Sequence, residues 1–263
     1  MKPAPLFKTV YRDLLGFAAL LALGFWLIGR GGANISYRWH WQQVPQYLYS
    51  LEDGRFIAGP LLQGLMVTLE ITAVSLILAG CIGLATALLR MSSSPVGRIL
   101  AWGYLETIRN TPLLVQIFFL YFVMAPILDI GRFATAVVAL SMFEGAYASE
   151  IFRAGITSLA KGQWEAAFSL GLTRFDTYRK VILPQAIRRI LPPLTSQAIS
   201  LVKDSALVST IAVYDLTMEG RAIIAETFMT FEIWFTVAAI YLSVTLLLSG
   251  LVALVERYYP QRS

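Results

Sequence analysis

Long apolar stretches with almost no charge constrain the fold of this chain more than any other feature of its sequence. Residues 61–89 hold a single charged side chain, Glu70. Of the 263 residues, 57% are hydrophobic and 14% charged, whereas soluble globular chains carry about 25% charged residues. The charged residues gather between the apolar stretches, as in helical membrane proteins. The sequence therefore predicts an all-α integral membrane protein rather than a soluble globular one.

Six segments are long enough to cross a bilayer, which takes about 20 apolar residues at 1.5 Å each. Pro192 and Pro193 interrupt the fifth segment, which predicts an irregular helix there. Residues 2–12 are basic and no small-residue cleavage site follows, so we interpret the first segment as a retained span. The six predicted spans are residues 10–29, 60–89, 99–125, 132–153, 185–213 and 232–256.

The distribution of basic residues predicts the orientation of the spans. With the N-terminus inside, 14 Lys and Arg residues fall on the cytoplasmic side and 5 outside, a bias that the positive-inside rule favours. Both termini are then cytoplasmic. The inner residues are Lys2, Lys8, Arg12, Arg90, Arg98, Arg153, Lys161, Arg174, Arg179, Lys180, Arg188, Arg189, Arg257 and Arg262, and the outer ones are Arg30, Arg38, Arg55, Arg132 and Arg221.

These spans divide the chain into three predicted parts. Residues 1–59 form a first span and an aromatic outer segment, which anchors at the membrane interface or binds a partner. Residues 60–256 form the transmembrane domain, and residues 257–263 a cytoplasmic tail. In such a chain, the net charge of +5 reflects the Lys and Arg residues that cytoplasmic loops retain. No nucleic-acid partner is therefore expected.

The loop of residues 154–189 is the only long hydrophilic region on the cytoplasmic side. Its residues 164–170 favour a short helix that ends at Gly171, where a helix C-cap is expected. Trp164 and Phe168 lie four residues apart, on one face of that helix, and Glu165 suits its first turn. Alternatively, the loop is a linker that lies on the lipid surface.

Four separated motifs resemble the polar amino-acid permeases of ATP-binding-cassette (ABC) importers, a family that includes histidine, glutamine and glutamate–aspartate transporters. In the loop, Glu165-Ala-Ala is followed by Gly171 and by Ile182-Leu-Pro. Asn110 stands where the family motif has Gly. The resemblance covers residues 64–263 approximately. The other three motifs are the blocks 106–116, 146–155 and 201–209.

The resemblance implies a type I ABC importer permease fold with a cytoplasmic coupling helix. The residues it assigns to ATPase coupling are Gln163, Trp164, Glu165, Ala166, Ala167, Phe168 and Gly171. It implies paired ATPase subunits, a second permease that is identical or homologous, and an external substrate-binding protein. The sequence has no phosphate-binding Gly-rich motif, so ATP and its Mg²⁺ are expected on the ATPase partner, with no cofactor or catalytic activity in this chain.

Charged residues inside spans are the candidate substrate contacts, because they are costly in a bilayer. Counted along their spans, Glu70, Arg109 and Glu144 each lie roughly 15–18 Å deep. Arg109 can hold a substrate carboxylate and either glutamate an ammonium group, although an ion pair between these helices, or of Arg109 with Glu106, explains them equally well. Thr111 and Asp204 complete the predicted pathway, with Pro112 exposing backbone groups at a kink.

The predicted function is ATP-driven uptake of a polar amino acid, with a preference for glutamate, aspartate or glutamine. The alternative is a stand-alone ion-coupled secondary transporter, although no inverted repeat is found. With one His and one Cys, neither a metal site nor an enzymatic site is expected. Near the coupling loop, Glu150 and Arg153 are predicted to pair.

Overall fold

The computed structural model describes residues 16–20, 22, 23, 26, 37–52 and 54–258; the side chains of Glu52 and of residues 255–258 are not described. The chain divides into two compact units, Met1–His40 and Trp41–Ser263. The described residues 16–20, 22, 23 and 26 of the first unit are helical. Most of the predicted first span, residues 10–29, lies outside the described residues, as does most of the predicted tail.

The second unit is almost entirely helical. Its elements in chain order are a 3₁₀ turn (Trp41–Gln43), α1 (Pro45–Leu48), β1 (Tyr49–Glu52), β2 (Arg55–Ala58), α2 (Pro60–Met91), α3 (Pro95–Arg109), α4 (Leu113–Phe119), a π-helical turn (Leu120–Met124), α5 (Ala125–Leu128), α6 (Arg132–Thr157), α7 (Lys161–Ser169), α8 (Arg174–Asp176), a second π-helical segment (Thr177–Ile182), α9 (Leu183–Asp204), a 3₁₀ helix (Ser205–Ile211), α10 (Leu216–Thr227) and α11 (Thr230–Tyr258).

Among the residues that the structure describes, two helices are long and apolar enough to cross a membrane, α2 and residues Thr230–Leu254 of α11. A third span results if α3 and residues Leu113–Leu128 are counted as one bent pair. Helices also stand at the fourth and fifth predicted spans, α6 and α9. Polar and charged side chains along these two helices lower their hydropathy, which is typical of helices packed among other helices.

The predicted span 99–125 is sharply bent, at the position where Pro112 predicts a kink. The chain turns by 106° between α3 and α4, so α3 does not continue the direction of α4. Pro112 precedes α4 in an extended conformation, with φ −61° and ψ 138°, and a residue in that conformation cannot continue a helix. The C-terminal end of α3 lies beside α2 and α6, where Arg109 and Arg90 both bind Glu150.

The prediction that Pro192 and Pro193 interrupt the fifth span is wrong. α9 runs through Pro192 and Pro193 without a break. The hydroxyl of Thr195 donates to the carbonyl of Pro192 at 2.8 Å, which satisfies one backbone group beside the prolines. The irregular part begins only at Ser205, where the α-helix tightens into a 3₁₀ helix.

The core forms where α2 packs along α6. Small side chains line the contact, among them Ser75 and Ala79 on α2 and Ser141 and Ala148 on α6, and small residues let membrane helices approach closely. The Ser141 hydroxyl donates to the Val137 carbonyl at 2.6 Å within its own helix. A cluster of buried aliphatic side chains extends this core to α4, α9 and the 3₁₀ helix: Ile71, Ile117, Leu140, Leu201 and Val208.

Outside the predicted membrane domain, residues 41–58 fold against the end of α2. β1 and β2 form an antiparallel hairpin in which Leu51 pairs with Phe56. Trp41 stacks on Phe235 of α11 with ring centroids 6.4 Å apart. From Trp41 onward, the predicted outer aromatic segment therefore belongs to the second unit.

Candidate coupling loop and transport pathway

The predicted coupling helix is present as α7, Lys161–Ser169. Gly171 terminates it with φ +75°, a left-handed conformation that glycine adopts without strain. The amide of Leu172 donates to the carbonyl of Ala167 at 3.2 Å, which closes the last turn. The prediction of a short helix with a glycine C-cap is confirmed.

Two of the predicted contact residues face their own chain. Ala167 is buried, and Trp164 packs edge-on against Tyr178, with centroids 4.9 Å apart. Trp164 also borders a buried cluster that includes Leu159 and Ile182. Trp164 thus fixes α7 to the rest of the loop, whereas Phe168, four residues later, is 47% exposed.

The exposed side of α7 carries the remaining predicted residues. Gln163, Glu165, Ala166 and Phe168 are exposed there. Leu170 follows with 81% of its surface exposed. The sequence analysis did not single out Leu170, although an apolar residue just before a helix-ending glycine is a usable signal.

Polar contacts hold α7 to the segments on either side of it. The Gln185 amide of α9 donates to Gln163 Oε1 at 3.0 Å. Arg189 donates to the Ser158 carbonyl at 2.6 Å, which joins α9 to the end of α6. α7 is therefore linked to α9 directly and to the end of α6 through α9.

The second turn of the loop begins at α8 with its own cap. The Thr173 hydroxyl accepts from the Asp176 amide at 3.2 Å, and Lys180 pairs with Asp176 at 2.8 Å. The Lys180 hydrogen bond, the Thr173 hydroxyl and the Lys180 charge hold the pKa of Asp176 below its usual range. Asp176 is thus ionised at neutral pH.

Above the loop, one carboxylate binds three arginines. Glu150 Oε1 accepts from Arg90 of α2 at 2.5 Å and from Arg109 of α3 at 3.1 Å. Its Oε2 accepts from Arg153 at 3.1 Å. The predicted Glu150–Arg153 pair is confirmed, and it belongs to a cluster that joins three helices.

The prediction that Glu70, Arg109 and Glu144 lie at one depth is wrong. Arg109 lies beside Arg90, near the C-terminal end of α2, and Glu70 precedes Arg90 by roughly 30 Å of helix. The predicted pairing of Arg109 with Glu70, Glu144 or Glu106 is wrong as well, because Arg109 pairs with Glu150. The bend after α3 is the reason, since it accompanies the position of Arg109 beside Glu150 at the C-terminal end of α2.

At the bend, the carbonyls of Ile108 and Thr111 have a hydrogen-bond donor within the chain. The Gln116 amide donates to the carbonyl of Ile108 at 2.7 Å and to the carbonyl of Thr111 at 3.0 Å. It also donates to the Thr111 hydroxyl at 2.9 Å, which itself donates to Thr107. The backbone carbonyls that Pro112 was predicted to expose to a ligand are therefore occupied, and Gln116 is a residue that the sequence analysis missed.

A cavity of about 240 Å³ lies between α2, α6 and α9. Glu144 lines it together with Thr195 and Gln197 of α9, neither of which the sequence analysis singled out. Glu144 is only 2% exposed, and neither of its carboxylate oxygens has a hydrogen-bond partner among the described residues. The cavity walls are otherwise apolar: Leu76, Ala79, Gly80, Ala148, Phe152, Leu194 and Ala198.

The other predicted pathway residues lie outside this cavity. Glu70 is exposed on α2. Asp204 ends α9 and is half-buried, within electrostatic range of Glu144. Arg109 and Thr111 have the contacts described above. The structure thus brings Asp204 near Glu144 and separates both from Arg109.

Comparison with known proteins identifies the family to which the chain belongs. Residues 79–259 match the family model of the binding-protein-dependent transport system inner membrane component. The chain belongs to this family. The permease is accordingly an inner-membrane subunit of an ABC importer, a system whose ATPase is a separate subunit.

Curated relatives agree with this assignment. The permease is 41% identical to the glutamine transport system permease protein of Escherichia coli K12 over 200 residues, covering 75% of this chain and 91% of the relative. It is 40% identical to the L-cystine transport system permease protein of Bacillus subtilis, covering 82% and 90%. The nopaline transport system permease protein of Agrobacterium fabrum is 35% identical, with 74% and 86% covered.

Solved structures share the fold. A crystal structure of an amino acid ABC transporter with histidines superposes with a TM-score of 0.72 at 41% identity, covering 76% of this chain and 94% of that chain. The MetNI methionine ABC transporter, at 19% identity, superposes with a TM-score of 0.64. The predicted type I importer permease fold is confirmed, and the alternative of a stand-alone secondary transporter is wrong.

Proposed function

We propose that this permease imports a polar amino acid across the bacterial inner membrane, driven by ATP hydrolysis on ATPase subunits that dock on α7. The observation that carries the proposal is α7 itself, a short helix with exposed Glu165, Ala166 and Phe168. It is held to α9 through the Gln163–Gln185 contact, and α9 is held to the end of α6 through the Arg189–Ser158 contact. The names of its relatives, which cover glutamine, cystine and nopaline transport, support an amino acid or an amino-acid conjugate as cargo.

Coupling requires that a push on α7 reach the transport pathway. α9 connects the two, because Gln185 and Arg189 bind the loop while Thr195 and Gln197, farther along the same helix, line the Glu144 cavity. A rigid helix carries a shift at one end to the other. ATPase closure would therefore move one wall of the cavity, as alternating access demands.

The pathway in this proposal passes the Glu144 cavity and Asp204. Glu70 remains a predicted pathway residue, because an exposed carboxylate on a spanning helix is costly against lipid and suits a surface shared with a second permease. That second permease is identical or homologous, and an external binding protein delivers the substrate. Both termini are cytoplasmic, and lipid surrounds the spans.

Reconstitution tests this function. The permease is co-expressed with its ATPase, incorporated into proteoliposomes with the binding protein outside, and supplied with labelled glutamine, arginine and glutamate. Uptake that requires ATP on the ATPase side supports the proposal. Uptake driven by an ion gradient in the absence of ATP and ATPase would contradict it.

A further inference from the structure

Glu144 is an acidic side chain buried among helices, with the Gln197 side chain as a polar neighbour and no cation in the cavity lining described. It is 2% exposed, and both of its carboxylate oxygens lack a hydrogen-bond partner among the described residues. Burial of an unpaired carboxylate is strongly unfavourable unless it is protonated or meets a cation. The cation that the sequence analysis offered, Arg109, is bound to Glu150 instead.

The cavity beside Glu144 has the electrostatics of a cation site. Glu144 is the only ionisable residue among the described residues that line it. Thr195 and Gln197 add neutral polar groups, and Asp204 adds a second negative charge nearby. No lysine or arginine lines these walls, so nothing in the cavity neutralises an acidic substrate side chain.

The size of the cavity is also restrictive. Its 240 Å³ lies below the roughly 300–1,000 Å³ of sites for drug-sized ligands. It is therefore of the scale of one small metabolite or one extended side chain. The apolar walls from Leu76, Phe152 and Leu194 suit the methylene stem of such a side chain, with its charged end at Glu144.

We propose that Glu144 makes this permease selective for substrates with a cationic side chain, the class of basic amino acids that end in an ammonium or guanidinium group. This inference rests on the proposed function and narrows its substrate class. An amino acid of this class carries a net positive charge, which the carboxylate neutralises through charge-assisted hydrogen bonds. Glutamate and aspartate carry a net negative charge and would be repelled, contrary to the preference that the sequence suggested.

The test is equilibrium binding to the permease–ATPase complex in lipid nanodiscs, with no binding protein present to impose its own selectivity. Labelled arginine, glutamine and glutamate are the probes. We expect arginine to bind at least about tenfold more tightly than glutamate. Glu144→Gln, which keeps the shape but removes the charge, should lower arginine affinity by about tenfold or more and leave glutamine affinity unchanged.

Two further variants make the result decisive. Glu144→Asp keeps the charge and should retain the order of affinities, even if Glu144→Gln fails to assemble. Glu226→Gln makes the same chemical change at an exposed position on α10 and should bind like the wild type. Equal affinity for arginine and glutamate, an unchanged arginine affinity in Glu144→Gln, or no binding of any probe overturns the assignment. Loss of the ATPase from the wild-type complex would instead refute the proposed function.

Discussion

Arg109 and Glu150, 41 residues apart in the chain, form an ion pair at 3.1 Å. The same carboxylate oxygen accepts a hydrogen bond from Arg90, and the other one binds Arg153. The C-terminal ends of α2 and α3 are thereby fixed to α6 just before the coupling loop. Arg109, which stands out in the sequence as a substrate contact, has its guanidinium group bound to Glu150 in this structure.

Removal of the Glu150 charge should therefore loosen three helices at once. We expect Glu150→Gln to lower the free energy of unfolding by about 1–3 kcal/mol, because three guanidinium groups lose an anionic acceptor in a partly screened site. Arg109→Gln removes one contact only and should cost less. Thermal unfolding in detergent measures both, with exposed Glu226→Gln as the control. A Glu150→Gln variant as stable as the control would contradict a structural role for the cluster.

The bend after α3 depends on a single side chain. Gln116→Leu preserves the volume but leaves the carbonyls of Ile108 and Thr111 without their donor. We expect a loss of about 1–3 kcal/mol in the free energy of unfolding, the cost of buried unpaired polar groups. Asn110→Ala breaks the exposed contacts to Glu106 and serves as the control, with a smaller effect. A Gln116→Leu variant that unfolds at the wild-type temperature would contradict this role of Gln116 and would indicate that water binds the two carbonyls instead.

Close contact between α6 and α9 depends on Gly155. A Cβ atom at this position would overlap Cγ1 of Ile190, whereas one at Gly103 of α3 meets nothing within 4 Å. Gly155→Ala should therefore destabilise the permease by about 1–3 kcal/mol through overpacking, and Gly103→Ala should not. The double variant Gly155→Ala/Ile190→Ala should recover part of the loss in thermal unfolding. No recovery would show that the glycine acts in some other way.

Acidification should destabilise the start of α8, where Asp176 contacts Thr173 and Lys180. The pKa of Asp176 is lowered by Lys180 and Thr173, so the folded state favours the ionised form. Its contribution is fully present above the ordinary pKa of aspartate, near 4, and is lost as the pH falls through the lowered value. Protection of the loop amides against hydrogen exchange, taken relative to the intrinsic exchange rate at each pH, should therefore fall in this acidic range in the wild type. Asp176→Asn should show the lower protection at neutral pH already, and identical profiles would contradict this role.

Local signals in the sequence predicted the coupling helix well. Gly171 terminates α7 because a helix C-cap needs a left-handed residue, a rule that acts within one turn. The long apolar stretches similarly predicted α2 and α11, and the spacing of Glu150 and Arg153 predicted their pair. Each of these features depends on neighbours in the chain.

What the sequence did not predict depends on contacts between distant segments. Trp164 faces its own chain because its ring packs against that of Tyr178. Arg109 lies beside Glu150, with which it forms an ion pair, because the chain bends after α3. The Glu144 cavity combines residues from three helices up to 122 positions apart, from Leu76 to Ala198. Pro112 indicated a kink, but neither its 106° angle nor its pairing with Gln116 follows from local rules.

The central claim, that α7 docks the ATPase, is tested most directly by co-purification of the ATPase with Phe168→Asp. This change places a charge on the exposed face of α7 without touching Trp164 or Ala167, which hold the helix in place. Phe56→Asp makes the same substitution in the outer hairpin, where the side chain is 63% exposed. The account predicts that Phe168→Asp yields folded permease without ATPase while Phe56→Asp retains it. A stoichiometric ATPase in the Phe168→Asp preparation would contradict the account.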